Sequence, residues 1–322
     1  MRPFVLLGLV TLIVAACEDT ASPTESGGSR GRIAANRVDG THGLDFTTID
    51  APGSEFTVGL GVNSSGAIVG FFVDNNGQHG FLLFNGTFTQ IDFDSDPNRN
   101  TTARGINDAG DIVGNYSGVD GRRHAYLLRG GTYTSFDPPG AVGTAALGIS
   151  LSSGDIVGFF ADNNGQHGFL MNASNLTSST ALNFPGAVNT RATGINDAGD
   201  IVGVYFGTSG VNHSFLLSGG RFISLDVPGA IDTEAWGIND VGQIVGYDLR
   251  GDIQSFTEPG FPAPVAEVHG FLLSGGPFIP VNVSGGIDTQ VFGINSTGAI
   301  VGSYGTPDRV EHAFVGTPRI VP

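Results

Sequence analysis

Gly105-Ile106-Asn107-Asp108-Ala109-Gly110-Asp111-Ile112-Val113-Gly114 is the stretch on which the fold turns. Its opening tripeptide, Gly-Ile-Asn or a near variant, begins at Gly61, Gly105, Gly148, Gly194, Gly237 and Gly293. Each copy runs on to a second glycine (Gly66, Gly110, Gly154, Gly199, Gly242, Gly298) and then to Ile-Val-Gly. A His, a small residue and an aromatic follow, at His79, His124, His167, His213, His269 and His312. One supersecondary unit is therefore repeated six times, and a period of about 40–50 residues is that of a propeller blade. Residues 70–82 and 158–170 differ only where Val73 stands in one and Ala161 in the other, the mark of duplication in pairs.

Each unit holds four short strands rich in β-branched and aromatic residues, called a, b, c and d below, with turn residues between them. In the second unit they fall at 102–107, 111–116, 124–129 and 133–137. The a–b turn, Asn107 to Gly110, suits a type I turn followed by a left-handed residue. The c–d turns, Asn85-Gly86, Gly130-Gly131, Gly219-Gly220 and Gly275-Gly276, suit tight hairpins with both φ values positive. The d–a link is longer and usually carries Pro-Gly. The expectation is an all-β, six-bladed β-propeller of four-stranded antiparallel blades over residues 46–318. A β-solenoid is the rival, but frequent two-residue hairpins do not suit parallel coils. The repeat region opens with a d strand at 46–50 and ends with a c strand at 312–316. The N-terminal strand should therefore complete the C-terminal blade, removing an exposed edge.

Gly-Ile-Asn-x-x-Gly-x-Ile-Val-Gly followed by His-Ala/Gly-Phe resembles the HAF-repeat family of bacterial exported proteins, and His312-Ala313-Phe314 reproduces its namesake tripeptide. The resemblance spans residues 46–318, with Ser150 replacing Asn in one copy and Val62 replacing Ile in another. It implies an exported, propeller-like protein and brings no catalytic residues.

Residues 1–16 read as a signal peptide: Arg2 supplies the charge, and the apolar run after it is too short to span a membrane. Val14-Ala15-Ala16-Cys17 resembles the lipobox of bacterial lipoproteins, which implies cleavage before Cys17 and lipid attachment to it. Residues 17–45 are then a lipidated Cys and a flexible tether, being rich in Ser, Thr, Gly and Pro. Cys17 is the only cysteine, so no disulfide is available in an oxidising compartment. The expected address is the cell envelope, lipid-anchored at the outer membrane or cell surface.

Glycine is 52 of 322 residues, yet 40% are hydrophobic and 14% charged, a globular composition rather than a disordered one. All 14 basic residues are Arg, against 30 acidic ones, and the net charge of −16 excludes nucleic acid as a natural partner.

Six of the seven histidines share one repeat position. Counting outward from the c–d turns sets His79 opposite Asp92, His124 opposite Asp137, His213 opposite Asp226 and His269 opposite Asn282. Ring closure would set His312 opposite Asp50. These read as structural cross-strand pairs within single blades. A carboxylate partner favours the imidazolium, and a metal would need several such groups converging. The Asn-Asp-x-Gly-Asp turns are too short for a calcium loop, and the Gly-rich turns lack the Lys of a phosphate loop. No nucleophile elbow and no HExxH helix is present. No cofactor, metal or catalytic residue is expected. The b–c link of the fifth unit swells to residues 248–268, and its Phe256, Glu258, Phe261 and Glu267 form a candidate binding loop. The leading function is a cell-envelope lipoprotein whose propeller is a binding platform for a protein or glycan. The alternatives are a propeller enzyme (hydrolase, lyase or lactonase) with its site at one channel mouth, and a structural surface-layer component.

Overall fold

The computed structural model describes residues 33–39, 43–94, 96, 100–207, 210–251 and 267–319. Residues 1–32, with the signal peptide and Cys17, lie outside the described residues. The strands form six antiparallel sheets, each a meander in which a, b, c and d pair in sequence order. Blade 1 comprises Phe56–Val62, Ile68–Asp74, Gly77–Phe84 and Thr87–Ile91. Blade 2 comprises Thr102–Ile106, Ile112–Ser117, Arg123–Arg129 and Thr132–Phe136. Blade 3 is built from Gly143–Ile149, Asp155–Asp162, Gly165–Asn172 and Asn175–Leu182. Blade 4 is built from Asn189–Ile195, Ile201–Phe206, Asn212–Ser218 and Arg221–Leu225. Blade 5 holds Asp232–Ile238, Ile244–Arg250, Glu267–Leu273 and Phe278–Val281. Blade 6 takes Thr289–Ile294, Ile300–Gly305 and Glu311–Pro318 from the end of the chain, and Leu44–Ile49 from its start. The a strands touch one another in a closed ring, so the molecule is a six-bladed propeller with a at the axis and d at the rim.

The repeat motif explains the packing. In Ile-Val-Gly the Val of every b strand is fully buried (Val69, Val113, Val157, Val202, Val245, Val301). The aromatic two residues after each His is buried as well: Phe81, Tyr126, Phe169, Phe215, Phe271 and Phe314. Each of these rings lies across from the glycine of Ile-Val-Gly, as in Gly70 with Phe81 and Gly114 with Tyr126. A large side chain covers a residue with none, so the sheet stays thin where blades meet. Each such ring contributes about 1.5–3 kcal/mol by leaving water. The cores sit between blades: Val301 and Ala313 of blade 6 pack with Phe72 and Phe81 of blade 1.

Ring closure follows the expected register. Ile49 pairs with Ala313 and Phe46 with Gly316. Phe46 and Phe314 meet edge to face at 5.4 Å. The closing strand starts at Leu44 rather than Phe46, because Leu44 and Phe46 alternate into the core while Asp45 faces outward. A second correction concerns the tether: Ile33–Asp39, inside it, pairs antiparallel with Leu44–Ile49 and adds a fifth strand to blade 6. The Gly275-Gly276 link is also looser than a two-residue hairpin. Strand c ends at Leu273 and d begins at Phe278, and only Gly275 is left-handed there, so just one of the two expected positive φ values is needed.

A threonine stands four residues before each Gly-Ile-Asn glycine, and in every blade but the third its hydroxyl anchors the d–a link, Thr101 by accepting the Phe93 N–H at 3.1 Å. Thr57, Thr190, Thr233 and Thr289 accept the backbone N–H of Ala51, Phe184, Val227 and Val283 at 3.0–3.1 Å. At the matching place in blade 3 stands Pro138, which has no N–H, and the buried Thr144 hydroxyl has no hydrogen-bond partner. Thr233→Val should therefore cost about 1–3 kcal/mol by orphaning the Val227 amide. Thr144→Val should cost nothing or stabilise. Urea denaturation of the two variants checks this, and equal losses would refute the assignment.

Candidate functional site

Among the described residues the two ends of the propeller axis are built differently. At the a–b end the Gly-Ile-Asn glycines crowd the axis. A Cβ on Gly61, Gly105, Gly148, Gly194, Gly237 or Gly293 would lie 3.2–3.3 Å from the Cα of the next glycine round the ring. Only glycine permits that approach. The asparagines beyond them tie blade to blade. Asn63 Nδ2 donates to the Asn107 carbonyl at 3.0 Å, Asn196 to Asn239, Asn239 to Asn295, and Asn295 back to Asn63 at 2.9 Å. Each Asn also caps its own turn; Asp111 N donates to Asn107 Oδ1 at 2.8 Å.

Away from this ring the a strands carry a bulge at Leu60, Arg104, Leu147, Thr193, Trp236 and Phe292, the residue before each glycine. A bulge re-aims its side chain, and here the set converges on the axis. Trp236 packs against Ala145, Leu147 and Phe159 of blade 3, and edge-on to Phe292 of blade 6 at 5.3 Å. Next toward the b–c end come Val58, Thr102, Ala145, Arg191, Glu234 and Gln290, with the b-strand residues opposite them. The rim of the mouth is set by the residue before each repeat His, among them Gln78, Arg123, Gln166, Asn212 and Glu311.

The polar groups of this mouth are not repeated, and they are polarised. Arg104 is 6% exposed; its Nε donates to Asn115 Oδ1 at 2.9 Å. Burial, then the charges of Arg123 and Arg191, bring Arg104 down to about 9. Arg191 Nε donates to Gln166 Oε1 at 2.7 Å, and its guanidinium lies 4.9 Å from the Phe159 ring centroid and 5.1 Å from that of Phe206. Burial lowers Arg191, against the pull of Glu234, and lowers Arg123, with Arg191 adding to it. Across the mouth the buried Glu234 accepts from Asn212 Nδ2 at 2.7 Å on one oxygen. Its other oxygen accepts from the Tyr247 hydroxyl at 2.6 Å and Trp236 Nε1 at 3.1 Å. Burial pushes the Glu234 carboxyl up, with Tyr247 and Arg191 pulling it back. Burial likewise raises Glu311, whose carboxylate accepts from Ser303 Oγ.

The repeat histidines stand apart from this cluster, one per blade. His79 Nδ1 lies 2.8 Å from Asp92, His124 2.7 Å from Asp137, His213 3.1 Å from Asp226, His269 3.2 Å from Asn282 and His312 2.8 Å from Asp50. His167 meets Asn183 in the same way at 2.8 Å. The b-strand neighbour is usually aromatic: Phe72 against His79, Tyr116 against His124, Tyr304 against His312. In blade 5 it is Asp248, which is 1% exposed and is held by Arg250. Burial lowers His79, but Asp92 and Asp74 outweigh it and the net shift is upward. His124 is raised in the same way by Asp137 and Asp120. Among the described residues no three His, Cys, Asp or Glu converge as a metal site.

Of the candidate binding loop, Phe256, Glu258 and Phe261 lie outside the described residues. The swollen link is shorter than residues 248–268. Strand b continues to Arg250 and c resumes at Glu267, because Leu249 pairs with Val268 and Arg250 with Glu267. Glu267 is exposed and its carboxylate lies 3.2 Å from His269 Nε2. The two flanks of the insertion, Arg250 and Glu267, therefore stand at the b–c end of blade 5. A separate cleft of about 280 Å³ lies there between blades 4 and 5, lined by His213, Asp226 and Ile231, and shares Asn212 with the mouth.

Sequence reasoning missed Arg104, Arg123, Arg191, Glu234, Trp236 and Tyr247. A signal was present. Between the recurring Thr and Gly of each unit, the segments 101–105, 190–194 and 233–237 carry Arg, Arg, and Glu with Trp, where other units are apolar or uncharged.

No protein-family model and no curated protein matches the sequence. Solved structures share the architecture. A gluconolactonase from Xanthomonas campestris is 10% identical, with a TM-score of 0.51 over 92% of this chain and 98% of that one. The Aleuria aurantia lectin is also 10% identical, with a TM-score of 0.48 over 84% of this chain and 99% of that one. AofleA from Arthrobotrys oligospora, 10% identical, gives 0.47 over 90% and 88%. At these identities the likeness is one of fold.

Proposed function

We propose that the protein is an exported, lipid-anchored binding platform of the cell envelope, which takes a protein or glycan ligand at the b–c mouth of its channel. The observation that carries this reading is the asymmetry of the axis. One end is built from repeated glycines and asparagines, while the other collects the charged and aromatic side chains that break the repeat. Repeated positions build the ring, and unrepeated ones in a concave mouth are where recognition is expected. The occupancy of both Glu234 oxygens favours binding over proton transfer, since Tyr247, Trp236 and Asn212 hold this carboxylate as a fixed wall. Anchoring rests on Val14-Ala15-Ala16-Cys17 and the apolar run before it.

Two measurements test the proposal. Cys17→Ser should abolish fatty-acid labelling and release the protein from membranes; persistent labelling would refute the anchor. That soluble variant, screened on a glycan array and against envelope proteins, should capture a ligand whose affinity shifts, in either direction, in Glu234→Gln. Affinity should be unchanged in Ile223→Ser, a change at an exposed residue of an outermost strand. A ligand indifferent to the mouth would place recognition elsewhere on the propeller.

A further inference from the structure

We infer that the channel mouth receives the carboxylate of a small organic acid between Arg104, Arg123 and Arg191, a ligand class that rests on the mouth being the binding site. The chain has 30 acidic residues against 14 arginines, so carboxylate partners are abundant. Outlying arginines find them, as Arg129 does with Asp111 at 2.7 Å, Arg250 with Asp248 and Arg319 with Asp45, or stand exposed to water, as Arg221 and Arg309 do. The three at the mouth are buried or half-buried and find none. Among the described residues none of them forms an ion pair with a carboxylate. Arg104 is the extreme case: it is buried, and its one side-chain hydrogen bond runs from Nε to the neutral Asn115, leaving both Nη groups without a partner. Arg191 likewise bonds only the neutral Gln166, through Nε, with its face against Phe159 and Phe206.

A buried guanidinium without a counter-ion is costly, and three within mutual electrostatic reach repel one another. Such a group is tolerable where an anion arrives to satisfy it, and the planar fork of Arg suits a carboxylate. The rest of the mouth narrows the choice. Glu234 and Glu311 on blades 5 and 6 would repel a second negative charge, which disfavours phosphate and other dianions. Trp236, half-buried at the axis, supplies apolar surface for the body of the molecule. One charge and an uncharged body describe a monocarboxylate, either an aromatic acid or a sugar acid.

The test uses the full-length Cys17→Ser chain at neutral pH, with calorimetry and thermal melting. Benzoate and glucuronate are compared with the uncharged benzamide and glucose, and with inorganic phosphate. At least one carboxylate should bind saturably and raise the melting temperature, about tenfold or more tighter than its uncharged counterpart. Benzoate and glucuronate separate the aromatic from the sugar source. Arg104→Met and Arg191→Met should each weaken binding about tenfold or more. Arg104→Met should also melt higher than the parent without ligand, because an unpaired buried charge is gone. If Arg104→Met does not fold, Arg191→Met carries the test, with Arg221→Met as the unaffected control. Equal binding of benzamide and benzoate, tighter binding of phosphate, no saturable carboxylate effect, or full affinity in the Met variants would each overturn the inference. A neutral ligand whose affinity shifts in Glu234→Gln would defeat the carboxylate while leaving the mouth as the site. A ligand insensitive to every mouth variant would defeat both.

Discussion

Gly114→Ala, the addition of one methyl group, is expected to abolish the soluble fold. A Cβ at Gly114 would stand 1.9 Å from the carbonyl oxygen of Thr102 and 2.9 Å from the Tyr126 ring. The oxygen belongs to the innermost strand of the same blade and cannot swing away as a side chain would. Tyr126 is fully buried and its hydroxyl donates to that same carbonyl at 3.2 Å. Relief requires the a and b strands to separate, so the loss should exceed the ordinary overpacking range and reach ~3 kcal/mol or more. Gly143→Ala is the control. That glycine lies in a strand of blade 3 with only the Arg123 carbonyl oxygen near, at 3.9 Å. Its replacement should be neutral or stabilise by about 0.4–1 kcal/mol. Denaturant titration of both proteins decides the matter, and a Gly114→Ala protein as stable as its parent would refute the packing account.

The second large effect concerns closure. Removing residues 33–50 should leave the strand Glu311–Pro318 with an open edge and uncover Phe314, and the product should be oligomeric or insoluble. Phe46→Ala is the milder form. It empties a buried position against Phe314 and should cost about 3–5 kcal/mol. Size-exclusion chromatography and thermal melting read both. A truncated chain that stays monomeric and melts with the full-length protein would mean that five blades and a part suffice.

The architecture was legible because it depends on what the units share. The turn glycine, the Ile-Val-Gly segment and the c-strand aromatic each answer a packing need common to every blade, and their recurrence fixed both blade number and the partner of the first strand. Strand ends were less legible: Arg250 and Glu267 extend a ladder through residues whose composition looks like loop. The Ile33–Asp39 strand was hidden for a related reason, since an edge strand at the rim needs no hydrophobic alternation to pair. The mouth was hidden more deeply. Which face of an a strand looks into the channel depends on the bulge at Arg104, Trp236 and their equivalents, and a bulge leaves no mark in hydrophobic periodicity. Arg104, Arg191 and Glu234 therefore looked like single departures in separate repeats, and only the ring brings them within reach of one another.

The latch formed by Leu44–Ile49 also governs the order of events in folding. Its partner, Glu311–Pro318, is made some 260 residues later. The first propeller strand to leave the ribosome must stay unpaired on its inner side until nearly the whole chain exists. Blades 1 to 5 are local hairpin meanders and can form as they are made, but the circle waits for the final strand, a contact of very long sequence separation. A nascent or prematurely terminated chain thus carries an unlatched strand at one end and an incomplete blade at the other. Completion of the polypeptide, rather than formation of any blade, is the step that commits this molecule to its native shape.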